Sequence, residues 1–129
     1  MKPNPYLLAV GLAVPTIGAC LLIGSSLARD ALSLLLAVIC AVYVGYGLAD
    51  GSKRAVATEV SVAAAFFVIA LLGLRASSLW LVVGYVLHGV WDYLHDPKRI
   101  PTRLPVWYPP FCAVYDWLIA AFIVVYIKW

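Results

Sequence analysis

Five long apolar stretches follow one another along the chain and constrain its fold more than any other feature. A helix rises 1.5 Å per residue, so about 20 apolar residues are needed to cross a bilayer. The five stretches cover residues 6–28, 31–48, 55–74, 79–95 and 111–127. We therefore predict an all-α polytopic bundle of five transmembrane helices, which forms a single integral membrane domain over residues 1–129.

The composition excludes most other classes of protein. Hydrophobic residues make up 65% of the chain and charged residues 12%, whereas soluble domains are about half apolar and a quarter charged. A soluble enzyme, a disordered protein and a secreted disulfide scaffold are therefore excluded. We expect a multi-pass protein of a prokaryotic inner membrane or plasma membrane, with the lipid bilayer as its partner. The scattered basic residues predict no nucleic-acid partner.

The short polar segments between the apolar stretches predict where helices begin and end. The first apolar run continues past Cys20, which favours a spanning helix over a cleaved signal, and Pro15 predicts a kink in it. Asp30 is the predicted N-cap of the second span, and residues 49–52 form a helix stop. Residues 75–78 are a tight connection, which predicts an antiparallel hairpin of the third and fourth spans. The three cysteines are predicted to be buried, inert thiols: Cys20, Cys40 and Cys112.

The one substantial loop covers residues 96–110 and contains five prolines, so we expect it to be stiff and non-helical until Phe111. Basic residues predict the orientation, because they favour the cytoplasmic side. With five spans, one side carries Lys2, Lys53, Arg54, Lys98, Arg99 and Arg103, and the other carries Arg29, Arg75 and Lys128. This asymmetry predicts a cytoplasmic N-terminus and an external C-terminus.

Aromatic residues concentrate near the predicted membrane surfaces. Tyr43 and Tyr46 fit an interfacial belt, while the adjacent Gly45 and Gly47 favour the close approach of another helix. A second aromatic set lies around the long loop: Trp91, Tyr93, Trp107, Tyr108, Tyr115 and Trp117. These rings form either an interfacial belt or the wall of a pocket for a lipid-like substrate, with residues 107–110 as a rigid rim.

Five ionisable residues lie within the spans, where a charge is costly unless it faces protein or water: Glu59, His88, Asp92, His95 and Asp116. All map to the cytoplasmic half of the membrane. On a helix, Asp92 lies about 40° to one side of His88 and His95 about 20° to the other, so the three share one stripe. Asp116 and Glu59 belong to neighbouring spans and are expected to face that stripe.

Histidine and carboxylate side chains support two chemistries. They are ligands for zinc, manganese or iron, and all five residues are candidate ligands. The stripe is about 10 Å long, so at most two adjacent members, with groups from other helices, bind one ion. His88, Asp92 and Asp116 are also candidate catalytic acids and bases for a lipid-like or small-molecule substrate.

Three other interpretations stay open at this stage. The same residues suit a proton- or ion-coupled small-solute transporter, which would be a homo-oligomer because one five-helix chain leaves little room for a conduit. They also suit a non-catalytic membrane assembly subunit. Finally, they suit simple interhelical hydrogen bonding that holds the bundle together.

Overall fold

A computed structural model describes residues 2–95 and 99–127, and these residues form five α-helices. The helices are α1 (Pro5–Ile23), α2 (Ser25–Asp50), α3 (Lys53–Arg75), α4 (Leu79–Leu94) and α5 (Tyr108–Tyr126). The fold is all-α, as predicted. Asp96, Pro97, Lys98 and Lys128, which entered the loop and orientation predictions, lie outside the described residues.

Helix ends follow from local chemistry. The Asn4 side chain caps α1 by accepting from two backbone N–H groups, and the Ser52 side chain caps α3 by accepting from the backbone N–H of Ala55. Gly24 and Gly51 separate helices at positive φ, 87° and 76°, a backbone conformation that glycine adopts without strain. The prediction that Asp30 caps the second helix is wrong, because the break occurs at Gly24 and Asp30 lies inside α2.

The fifth helix begins three residues earlier than predicted, at Tyr108 instead of Phe111. Pro109 and Pro110 lie in its first turn, where a proline costs no hydrogen bond because the first N–H groups have no partner inside the helix. In the preceding loop, residues 99–107 are non-helical, as expected. Pro15 lies within a continuous α1, and its kink stays a prediction.

Each helix packs against its neighbours in sequence, and α5 returns to pack against α1. Four helices, α1, α2, α3 and α5, are long and apolar enough to cross a membrane, whereas α4 has 16 residues. Their apolar side chains largely face outward; Leu22 and Val125, for example, are 88% and 87% exposed. An apolar exterior around a polar interior is the pattern of a small helical membrane protein.

Small residues allow the helices to approach closely at several points. A Cβ atom at Gly89 would lie 2.3 Å from Nε1 of Trp117 on α5, and one at Gly84 would lie 2.5 Å from Leu36 of α2. Gly47 likewise lies against Glu59 of α3, as the sequence predicts, whereas Gly45 meets nothing within 4 Å. These contacts bring the polar side chains of α2 to α5 together.

Candidate metal centre

Three ionisable side chains meet between α4 and α5. Nδ1 of His88 lies 2.6 Å from Oδ2 of Asp116 and 3.4 Å from Oδ2 of Asp92. One ligand atom from each residue lies within 4.8 Å of the other two, and all three residues are buried. Two residues one turn apart on α4 and one from another helix are thus close enough to share an ion.

Helical periodicity explains why these residues converge. His88 and Asp92 are four residues apart on the buried face of α4, which also carries Leu81 and Tyr85. Asp116 lies on the buried face of α5 with Ile119 and Ile123. The close approach of α5 at Gly89, one residue after His88, brings the two faces within reach of a direct side-chain contact.

Several polar atoms in this group have no hydrogen-bond partner. Among the described residues, Nε2 of His88, Oδ2 of Asp92 and Oδ1 of Asp116 are buried and unsatisfied. Unpaired polar atoms in an apolar interior are costly, and a bound cation would pair with the two carboxylate oxygens. Arginine does not supply it, because the described ion pairs of arginine join Arg29 to Asp30 and Arg103 to Asp50.

The other two predicted ligands form a separate group. Oε1 of Glu59 lies 2.8 Å from Nε2 of His95 and accepts a hydrogen bond of 2.6 Å from the Thr102 hydroxyl. Nδ1 of His95 lies 2.9 Å from the backbone oxygen of Trp91, so both ring nitrogens face acceptors. The structure therefore divides the five predicted residues into a group of three and a pair.

Tyr43 lies between the two groups and was not predicted as part of the site. Its hydroxyl donates to Oδ1 of Asp92, and its ring centroid lies 5.5 Å from that of His88 and 4.6 Å from that of His95. The belt interpretation of Tyr43 is therefore wrong, because the residue is 1% exposed. A signal was present: Tyr43 falls on the buried face of α2 formed by Leu32, Leu36, Cys40 and Gly47.

The chain matches a family of unknown function, DUF6010, over residues 4–128. It belongs to that family. No curated protein and no solved structure matches it.

In this DUF6010 protein an open cleft of about 820 Å³ lies between the end of α4, the loop and the start of α5. Asp92, His95 and Thr102 line it, so both polar groups border the same space. Of the predicted rim, residues 107–110, Pro109 and Pro110 form part of the described lining. Of the second aromatic set, Tyr93 is the member that lines the described cleft, and Tyr115 instead donates to Thr16 at 3.1 Å.

Proposed function

We propose that this DUF6010 protein is a membrane metalloenzyme in which His88, Asp92 and Asp116 bind one divalent ion. The main support is the group of three side chains, each at most 1% exposed, whose ligand atoms lie within 4.8 Å of one another. Each of them has a buried polar atom without a hydrogen-bond partner. Asp92 lines the cleft, so a substrate in the cleft would lie beside the centre. A lipid-like substrate fits a protein with an apolar exterior.

Charge balance favours a divalent cation at this place. Two ionised carboxylates would carry two negative charges, and protonation of His88 would offset one of them. A divalent ion with neutral His88 offsets both, which removes the cost of a net charge in an apolar interior. One imidazole nitrogen with carboxylate oxygens suits manganese, iron or zinc.

A bound ion would polarise an ester or phosphoryl oxygen, or lower the pKa of a water molecule. The residues of this chain then have separate roles. His88, Asp92 and Asp116 hold the ion, and Tyr43 fixes the Asp92 carboxylate through its hydroxyl. His95, paired with Glu59, borders the cleft beside Asp92.

A second candidate function rests on the 2.6 Å contact between Nδ1 of His88 and Oδ2 of Asp116, which is a direct hydrogen bond. A connected series of Tyr43, Asp92, His88 and Asp116 suits the transfer of protons in a proton- or ion-coupled transporter. This series is closed to the cleft except at Asp92, so we rank the carrier below the metalloenzyme.

The deciding experiment measures metal content. The detergent-purified protein is stripped with a chelator, reloaded with Mn²⁺, Zn²⁺ or Fe²⁺, and examined by elemental analysis and isothermal titration calorimetry. We expect about one ion per chain, and metal at 100 times its dissociation constant should stabilise the fold by about 2.7 kcal/mol. Asp116→Asn and His88→Ala should abolish stoichiometric binding.

Asp50→Asn is the matched control, because the Asp50 side chain is only 4% exposed but pairs with Arg103 outside the proposed centre. It should bind metal like the unmodified protein. Absence of stoichiometric metal in the unmodified protein would reject the metalloenzyme. Proton flux into proteoliposomes that disappears in Asp116→Asn would then favour the carrier.

The proposed enzyme crosses the membrane five times, as a single domain with spans near residues 6–28, 31–48, 55–74, 79–95 and 111–127, with its N-terminus in the cytoplasm. The surplus of basic residues on one side supports this orientation. In this arrangement the cleft opens at the cytoplasmic leaflet.

A further inference from the structure

We propose that the cleft binds the headgroup of an anionic phospholipid, with Arg103 as the group that selects negative charge. This proposal rests on the proposed function, because it adds the substrate class to the same centre. Three features of the described cleft carry it: a polar floor, a cationic rim and an exposed apolar wall.

The polar floor contains Asp92, His95 and Thr102. An anion next to Asp92 alone would be repelled, but an ion held by the three-residue group cancels the charge of both aspartates. A phosphate group at the floor then no longer meets an uncompensated carboxylate at Asp92. The floor therefore accepts an anionic group only when the centre holds its metal.

The rim carries Arg103, the one arginine or lysine of the described cleft lining. Its backbone N–H and its Nε both contact Oδ1 of Asp50, at 3.2 and 3.3 Å, which anchors the side chain at one edge. The side chain is nevertheless 91% exposed, so the rest of the guanidinium group is open. An anchored, planar guanidinium group is suited to bidentate hydrogen bonding with a phosphate.

The wall includes Tyr93 and Val106, which are 72% and 91% exposed. The polar floor suits the headgroup of a phospholipid, and the two exposed side chains of the wall suit the start of its acyl chains. A volume of about 820 Å³ holds a headgroup and the first part of an acyl chain. A soluble phosphate compound would leave this wall uncovered, so we assign the ligand to the bilayer.

The test uses protein loaded with Mn²⁺ in dodecyl maltoside, titrated with dioleoyl phosphatidic acid, dioleoyl phosphatidylcholine or inorganic phosphate. Binding is measured as the shift in the thermal unfolding of the protein, which is monitored by tryptophan fluorescence. We expect phosphatidic acid to bind at least tenfold more tightly than phosphatidylcholine, and inorganic phosphate to bind weakly. Arg103→Gln should lower the affinity for phosphatidic acid about tenfold.

Arg75→Gln is the matched control, because Arg75 is also exposed but ends α3 on the far side from Asp50. It should leave the affinity unchanged. Val106→Glu is a second variant that keeps the Arg103–Asp50 contact and places a negative charge on the wall, and it should also weaken the binding of phosphatidic acid.

Each failure has its own signature. Equal affinity for the two lipids, or unchanged affinity in both cleft variants, overturns the lipid proposal while the metal content stays at its expected value. Equal binding of phosphate and phosphatidic acid overturns the assignment to the bilayer. If the unmodified protein holds no metal, the proposed function fails first, and selective binding of phosphatidic acid by the metal-free protein would overturn the role of the ion.

Discussion

Tyr43 is the residue on which the two polar groups of the interior depend. Its hydroxyl donates to Asp92, and its ring lies against both histidines. A hydroxyl that fixes one oxygen of a carboxylate leaves the other oxygen, Oδ2 of Asp92, available for an ion. Tyr43 is thus a positioning residue in the proposed centre.

Tyr43→Phe should lower the affinity for Mn²⁺ by about tenfold or more, because partners of metal ligands contribute on this scale. The loss of one interhelical hydrogen bond should also reduce stability by about 1 kcal/mol. Titration calorimetry and thermal unfolding measure the two effects separately. Tyr46→Phe is the control, since the described contact of the Tyr46 ring is with Tyr108. Equal metal affinity in both variants would contradict the positioning role.

At this scale the sequence identified the ionisable residues but not their partners. Spacing alone placed His88 and Asp92 on one face of a helix, and the structure brings Asp116 to them. The sequence did not separate His95 and Glu59 from that group. Their separation is a difference of about one helical turn in depth, which depends on the register between α3 and α4. Thr102 and Arg103 were not predicted as residues of the cleft, because loop residues carry no periodicity.

Among the elements, α4 and α5 form the contact that sets the geometry of the centre. Gly89 lies directly under the indole of Trp117, whose Nε1 donates to the backbone oxygen of Val86 at 3.3 Å. This contact holds the two helices at the separation that allows His88 and Asp116 to meet at 2.6 Å. Gly89, which has no side chain, therefore determines how closely the ionisable residues of the centre approach each other.

Gly89→Ala should destabilise the protein by about 1–3 kcal/mol, because a Cβ atom 2.3 Å from a rigid indole forces the helices apart. Metal affinity should fall as well. Gly18→Ala is the matched control on α1, where a Cβ atom meets nothing within 4 Å, and alanine there should be neutral or stabilising. Thermal unfolding in detergent checks both. A Gly89→Ala protein as stable as the control would mean that Trp117 simply turns aside.

The sequence predicted the number of helices and most of their ends. Helix ends with strong chemistry, such as the stop at Gly51, agreed with expectation. The two errors have one cause, which is competition between signals. Asp30 is a good capping residue, but Gly24 offers the positive φ that a reversal of the chain needs. The prolines at the start of α5 predicted a loop, although the first turn of a helix accommodates them.

For the whole molecule, the number of crossings is decided by α4. Five crossings place the two termini on opposite sides of the membrane, and four place them on the same side. We expect an alkaline phosphatase fusion after the last residue to be active and a green fluorescent protein fusion there to be dark. Fusions made at Gly51, on the cytoplasmic side in our proposal, provide the reverse control. An inactive phosphatase at the C-terminus would contradict the proposed topology.

The length of α4 has a consequence for access. Sixteen residues span about 24 Å, which is about 6 Å less than a typical hydrocarbon layer. In the proposed five-span arrangement the helix would stop short of the leaflet surface, and the cleft lined by Asp92 and His95 would be recessed below the level of the phosphates. A lipid resident in that leaflet would then reach the proposed binding cleft by sideways diffusion, without first being lifted into water.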